Sequence, residues 1–366
     1  CQRGDWKLHK VKCKRLTEVI VDTDGKNRLR SGALKRQLLT LSEGTVILTI
    51  RDPDITTIGD MNLAPERSRE APFFVCKSLL RVDLKGCTKL TSVGKSAFQE
   101  CTSLTSMVLP DSLTQVGENA FARCSSLTSM VLPDSLTQIG KSAFARCSSL
   151  TSVVLPDSLT ELGDGAFQGC TFLTSVVLPD SLTQLGKHAF QECTSLTSVV
   201  FPDSLTQVGE NAFATCFSLT SVVLPDSLTQ LGVAAFLYCT SLTSIVLPDS
   251  LKQVGDAAFH KCSSLTSVVL PDSLTQLGVA AFIGCSSLMS VVLPDSAELG
   301  DYVFLNCDTL ERKATLAGFD SVELYLRDRY KSITLRKLVL RLLRKYNQAV
   351  NNADGTEAEK HACALA

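Results

Sequence analysis

Residues 101–123 read CTSLTSMVLPDSLTQVGENAFAR, and near-copies of this 23-residue stretch follow one another through the middle of the chain. A cysteine opens each copy, and the prolines keep the same step of 23. The cysteines in this register are Cys101, Cys124, Cys147, Cys170, Cys193, Cys216, Cys239, Cys262 and Cys285, and Cys307 follows after 22 residues. One such unit cannot bury an apolar face alone, so the repeat predicts a solenoid of stacked coils.

Each copy contains two short extended pieces and one compact turn. Residues 106–109 are mostly apolar and end at Pro110, which cannot donate to a strand ladder, and Pro-Asp-Ser is typical of turns. Residues 113–116 form the second extended piece, after which Gly117 is expected to let the backbone bend. A single helical turn is expected at the next three core positions, Ala120, Phe121 and Cys124.

The unit resembles the BspA-like leucine-rich repeats, which follow L-x-x-I-x-I-P-x-x-V-x-x-I-G-x-x-A-F-x-x-C. In one copy the matching residues are Leu104, Met107, Leu109, Pro110, Leu113, Val116, Gly117, Ala120, Phe121 and Cys124. The resemblance covers residues 76–316. It implies a right-handed leucine-rich-repeat superhelix of short parallel strands and short helical turns, and it implies a surface or adhesion role, which is frequent in that family.

We divide the chain into four parts. Residues 1–75 form a basic N-terminal segment with degenerate capping repeats, since VILTIRDPDITTIG at 46–59 echoes the repeat. Residues 76–316 are the solenoid, with about ten regular coils. Residues 317–350 are a basic amphipathic helical cap, and residues 351–366 are a flexible tail. Degenerate ends are expected because the end of a solenoid must cover its core.

Charge is segregated along the chain. Residues 1–36 and 327–345 each carry a net charge of +7, whereas residues 37–326 carry −13. In the C-terminal basic segment the apolar residues recur at helical spacing, at Leu335, Leu338, Val339, Leu342, Leu343 and Tyr346. We expect this segment to cap the last coil. Its alternatives are docking to an acidic protein partner and binding to an anionic membrane surface.

The 15 cysteines are the first candidates for chemistry. Equivalent side chains in stacked coils point in the same direction, which disfavours disulfides between neighbouring coils. We therefore predict a ladder of buried, reduced thiols that act as small apolar residues. A step of 23 also spreads the sulfurs along the solenoid instead of around one ion, so no metal site and no cofactor are expected.

Two surfaces are candidates for partner binding. Strand alternation directs one valine per coil outward, from Val108 to Val292, which predicts a mildly apolar Ser/Val face along the whole solenoid. The alternative is that β-branched residues simply favour strands. The second surface lies at the Gly-x-x-Ala-Phe-x-x-Cys turn, where early copies are charged and later copies are apolar. Two explanations of this change are open: a docking patch for a partner, or drift after duplication of the repeat. The candidate partner-binding residues are Phe217, Val233, Leu237, Tyr238, Val279 and Ile283 at this turn, and Arg341, Arg344 and Lys345 in the basic segment.

These patterns favour a non-catalytic protein-interaction or scaffolding protein, including a subunit of a larger assembly. The alternative is a cell-surface adhesion or antigen protein. We expect no enzymatic activity, because identical Asp-Ser pairs in every unit are turn residues and offer no single tuned site. The partners should be proteins and not nucleic acid. Free thiols favour an intracellular, reducing compartment, with the cell surface as the alternative. No apolar run approaches the length of a membrane span.

Overall fold

The computed structural model describes residues 18–21, 47–50, 57–58 and 77–329. Each copy of the repeat forms one coil that contributes two short strands, and equivalent strands of successive coils pair in parallel. The register joins residues 23 apart, as in the pairing of Ser129 with Ser152. The predicted leucine-rich-repeat solenoid of parallel strands, with about ten regular coils, is confirmed.

The first strand of each coil from residue 106 onwards carries the Ser-x-Val sequence, and the three first strands before it have other sequences. These strands are β1 Glu18–Val21, β2 Ile47–Ile50, β4 Arg81–Asp83, β6 Ser106–Val108, β8 Ser129–Val131, β10 Ser152–Val154, β12 Ser175–Val177, β14 Ser198–Val200, β16 Ser221–Val223, β18 Ser244–Val246, β20 Ser267–Val269 and β22 Ser290–Val292. The early ones pair in the order β1-β2-β4-β6, and the later ones are hydrogen-bonded two by two. Strands β1 and β2, from the part of the chain before the regular copies, thus extend the same side of the solenoid.

The second strand of each coil is a pair of residues, a polar one followed by Val, Leu or Ile. These strands are β3 Thr57–Ile58, β5 Ser92–Val93, β7 Gln115–Val116, β9 Gln138–Ile139, β11 Glu161–Leu162, β13 Gln184–Leu185, β15 Gln207–Val208, β17 Gln230–Leu231, β19 Gln253–Val254, β21 Gln276–Leu277 and β23 Glu298–Leu299. They form one sheet from β3 to β11 and a continuous six-stranded sheet from β13 to β23. From β5 to β23 the first residue of each pair is exposed or half-buried, whereas the second is buried in nearly every coil.

The core is a stack of equal layers. The repeat phenylalanines from Phe98 to Phe282 are fully buried. Neighbouring rings stack with their centroids 5.1–5.8 Å apart along the solenoid, the last pair being Phe282 and Phe304. Leucine, valine, alanine and cysteine of the same repeat complete each layer. The layers explain the periodic sequence, because each coil presents the same apolar surface to the coil on either side.

The turn between the repeat glycine and cysteine differs from the predicted helical turn. The Asn119 N–H donates to the Lys141 carbonyl at 2.9 Å, and the Phe121 N–H donates to the Ala143 carbonyl at 2.7 Å, both in the next coil. A helix would direct these N–H groups along its own chain. The segment instead forms β-turns, with positive φ at Asn119 and Arg123. Bonds to the next coil therefore alternate with bonds within the turn, where the Ala120 N–H donates to the Gly117 carbonyl at 3.2 Å and the Ala122 N–H to the Asn119 carbonyl at 3.1 Å.

The repeat glycine is required by the distance between coils. A Cβ on Gly117 would lie 2.8 Å from the carbonyl carbon of Gly94, and one on Gly232 would lie 2.6 Å from that of Gly209. Neither Gly117 nor Gly232 adopts the left-handed conformation. The expected bend is thus not the main reason for the glycine, because its place is set by close backbone approach of stacked coils.

Two helices follow the last coil. Helix α1 spans Asp308–Leu316 and buries Leu310 and Ala314, and helix α2 spans Val322–Arg329. The Lys313 ammonium donates to the Met289 carbonyl at 3.0 Å, which ties α1 to the last coil. The predicted basic amphipathic stripe at 335–346 lies outside the described residues.

Candidate protein-interaction surfaces

The cysteine ladder is a row of buried thiols. All eleven cysteines within residues 77–329 are free and buried, which confirms the ladder. The Cys216 S–H donates to the Phe190 carbonyl at 3.2 Å, and the same bond to the preceding coil recurs along the ladder. Burial raises the pKa of Cys216 and Cys262 to about 12. These thiols are neutral and inaccessible, and so they are poor nucleophiles and poor metal ligands.

The histidines of the repeat have local structural contacts. His188 Nδ1 lies 2.9 Å from Gln191 Oε1, and the His260 ring stacks on Tyr238 with the centroids 5.8 Å apart. Partial burial and the adjacent Lys261 charge lower the pKa of His260. Within the ranges that the structure describes, no three His, Cys, Asp or Glu side chains gather as a metal site requires.

The turn edge is the set of residues between each repeat glycine and the following cysteine. Because equivalent residues stack in register, the residue after the glycine forms a row along this edge. In six successive coils the row alternates in charge, through Lys95, Glu118, Lys141, Asp164, Lys187 and Glu210. Lys95 pairs with Glu118 at 2.9 Å and Lys187 with Glu210 at 3.3 Å. Ion pairs between neighbouring coils thus link four of the six charges in the early half of the turn edge.

In the later coils the same row alternates valine with aspartate, at Val233, Asp256, Val279 and Asp301. Val233 is 44% exposed and Val279, two coils further on, is 41% exposed. Asp256 lies between them, and its Oδ1 accepts the Val279 N–H at 2.7 Å. Val233 and Val279 are thus exposed apolar side chains in a row that is otherwise charged.

The other candidate residues of the turn surround these valines. Leu237 and Ile283 are half-buried in the next row of the edge. Tyr238 is also half-buried, and its hydroxyl accepts a bond from the Lys261 ammonium at 3.2 Å. Phe217 is exposed but follows the cysteine of its coil, so it lies at the margin of this group. Arg341, Arg344 and Lys345 lie outside the described residues.

The outward valines of the first strands form a graded face. Val131 is 81% exposed, the fraction falls coil by coil through Val154 and Val177, and Val292 is fully buried. The expectation of an apolar face along the whole solenoid is therefore wrong at its C-terminal end. Strand alternation predicts the direction of a side chain but not what covers it.

The repeat unit, its stacking and its core residues can be compared with known proteins. The model of the BspA type leucine-rich repeat region, with six copies, matches residues 69–197 and 183–311. The chain belongs to this family.

Solved structures of leucine-rich repeat proteins are similar to this BspA-type chain. One from Bacteroides ovatus is 27% identical, covers 72% of this chain and 85% of its own, and gives a TM-score of 0.43. A leucine rich cell surface protein from Faecalibacterium prausnitzii is 25% identical, with coverages of 81% and 86% and a TM-score of 0.48. A leucine-rich repeat protein from T. pallidum is 26% identical, with coverages of 66% and 84% and a TM-score of 0.26. No curated protein sequence matches the chain.

Two exposed residues of the last BspA-type coil were missed by sequence reasoning. Tyr302, which is 68% exposed, and Leu305 lie at turn-edge positions equivalent to Ala280 and Ile283. They line a cavity of about 420 Å³ beside helices α1 and α2. The last step, from Cys285 to Cys307, is one residue shorter than the others. When the sequence alignment of the repeats allows for this missing residue, Tyr302 and Leu305 align with the turn-edge residues of the preceding coils.

A groove of about 400 Å³ runs along the second strands of the later BspA-type coils. Glutamines of five successive coils line it, at Gln184, Gln207, Gln230, Gln253 and Gln276. Glu210, Val233 and Asp256 of the turn edge also line this groove. In the part of the chain that the structure describes, no helix is both long enough and apolar enough to cross a membrane.

Proposed function

We propose that the chain is a non-catalytic protein-binding solenoid whose contact surface is the later half of the turn edge. The observation that carries this proposal is the change along one row, from paired charges up to Glu210 to exposed Val233 and Val279. Tyr302 and Leu305 extend the apolar surface to the last coil. Rigid stacked coils present such a surface without rearrangement, so binding costs little ordering of the solenoid.

The test replaces the two valines by aspartate. Val233→Asp with Val279→Asp should preserve folding, because both side chains are exposed. It should weaken binding of a native partner by about 2 kcal/mol or more, which is about thirtyfold. The measurement is affinity capture from native material on wild-type and variant protein, followed by titration of the captured partner.

The matched control is Lys95→Asp with Lys141→Asp, in the same row and also two coils apart. It breaks an exposed ion pair, which contributes about 1 kcal/mol at most. The control should keep the partner. If the valine variant folds and keeps every partner that the wild type captures, the turn edge is not the contact surface.

The strand face is a second candidate, favoured by the high exposure of Val131 and Val154 in neighbouring coils. Aspartate at both positions tests it in the same assay. Loss of the partner here, with retention by the Val233 and Val279 variant, would assign binding to the strand face. Scaffolding and assembly into a larger complex are finer forms of the same role, and the captured partners would distinguish them.

The cellular location is part of the proposal. The free thiols fit the intracellular compartment expected from the sequence, whereas the family resemblance favours the cell surface. Buried neutral thiols such as Cys216 resist oxidants in either place, because oxidation proceeds through accessible thiolates. Labelling intact cells with an amine reagent that cannot cross membranes decides between the two locations.

A further inference from the structure

We propose that the glutamine-lined groove binds an extended, proline-rich peptide in the polyproline II conformation. This inference rests on the proposed function, since it assigns a ligand chemistry to the later coils of the same edge. It depends on two properties of the groove: its free hydrogen-bonding groups and its repeat distance.

The glutamine amides of the groove leave donors free. Gln207 Nε2 donates to Gln230 Oε1 at 3.0 Å, which uses the acceptor of Gln230 and not its donor. The Nε2 groups of Gln230, Gln253 and Gln276 have no acceptor among the described residues. The backbone N–H groups of Val233 and Asp256, which also line the groove, likewise have no acceptor among the described residues.

The acidic side chains of the groove are engaged by the protein itself. Glu210 Oε2 accepts from the Lys187 ammonium at 3.3 Å, and its Oε1 accepts from Asn211 Nδ2 at 3.4 Å. Asp256 Oδ1 accepts the Val279 N–H at 2.7 Å. The groove therefore offers more free donors than its composition suggests, and it suits a ligand rich in acceptors and poor in donors. Proline-rich segments have this chemistry, because proline has no N–H and polyproline II carbonyls make no internal bonds.

The repeat distance of the coils agrees with that of a polyproline II helix. Neighbouring strands lie about 4.8 Å apart, so two coils span about 9.6 Å. A polyproline II helix repeats every three residues, or about 9.3 Å. One face of the peptide can therefore meet every second coil of the groove, including the coil of the exposed Val233.

The length of the groove sets the size of the ligand. From Gln184 to Gln276 there are four steps between strands, about 19 Å in total. A polyproline II segment of about six residues covers that length at about 3.1 Å per residue. Over such a short span the mismatch of about 0.3 Å per turn stays below 1 Å.

The experiment is a fluorescence-anisotropy titration of the full chain with a labelled oligoproline of about nine residues, against a glycine-serine peptide of equal length. The variant is Gln230→Ala with Gln253→Ala. The matched control is Gln115→Ala with Gln138→Ala, at the same repeat positions in early coils, where Gln138 Nε2 already donates to Glu161 at 2.8 Å. Thermal melting checks that both double variants fold.

Saturable binding of the oligoproline alone, weakened about tenfold or more by the groove variant and less than about twofold by the control, supports the inference. No saturation up to about 1 mM, binding of both peptides alike, or equal loss in both double variants overturns it. If the oligoproline fails while the Val233 and Val279 aspartate variant loses its native partner, the ligand chemistry is wrong and the proposed function stands. If that variant keeps its partner, the proposed function fails, and the peptide titration still decides the inference.

Discussion

Replacing one ring of the phenylalanine stack tests how the solenoid is stabilised. Phe190 is fully buried, and its ring lies 5.5 Å from the ring of Phe167 and 5.5 Å from that of Phe213. A phenylalanine side chain buries about 150–250 Å², worth about 4–6 kcal/mol at about 25 cal/mol per Å². Alanine retains part of this, so Phe190→Ala should cost about 3–5 kcal/mol. The upper end is expected because the ring loses stacking partners on both sides.

The assay is hydrogen exchange measured by mass spectrometry, together with urea unfolding. Each coil contacts only its neighbours, so faster exchange should centre on the coils that contain Phe167, Phe190 and Phe213. The control is Val177→Ala, a nearby and exposed valine, which should change the free energy of unfolding by about 0.5 kcal/mol or less.

The reasoning would be refuted by exchange that increases equally at both ends of the solenoid while the coils around Phe190 stay protected. A loss below about 1 kcal/mol would also contradict it, because a ring removed from a closely stacked core leaves a cavity that the neighbouring coils cannot fill.

Three further outcomes are expected. Gly232→Ala should lower the free energy of unfolding by about 1–3 kcal/mol, because the new Cβ would lie 2.6 Å from the Gly209 carbonyl carbon. An unchanged midpoint of urea unfolding would contradict this close approach of the two backbones. Burial raises the pKa of Cys216 and Cys262 from 9.0 to about 12. Their contribution to stability is therefore complete below about pH 9 and is lost as the pH rises towards about 12. Urea unfolding at about pH 8 and about pH 11 measures this loss, and an equal free energy of unfolding at both would contradict it. If the basic segment docks a partner, charge reversal there should weaken binding with little change in melting temperature, and raised salt should also weaken binding. If the segment is only a cap, deletion of 332–366 should destabilise the last coils and leave binding by the folded body intact. The residues to reverse are Arg341, Arg344 and Lys345.

The repeat architecture follows from the sequence alone. A step of 23 residues places the same residue type at the same position of every coil, and only stacking in register buries all copies of Phe121 and Cys124 equivalently. The same logic predicted the buried thiols and the alignment of the variable turn residues. The candidate site was found in part, since Val233 and Val279 stand out as apolar departures from a charged row.

The order of residues within a coil and their recurrence between coils can be read from the sequence. Tertiary structure decided everything that depends on distances between coils. The turn after Gly117 bonds to the next coil and is not helical, and Gly117 itself is needed because two backbones meet there. Val292 is buried although its equivalent Val131 is exposed, and the free donors of the groove appear only once bonds between coils are assigned. The physical reason is that identical units differ only in their neighbours, and a neighbour's backbone and covering groups are not encoded in the local pattern.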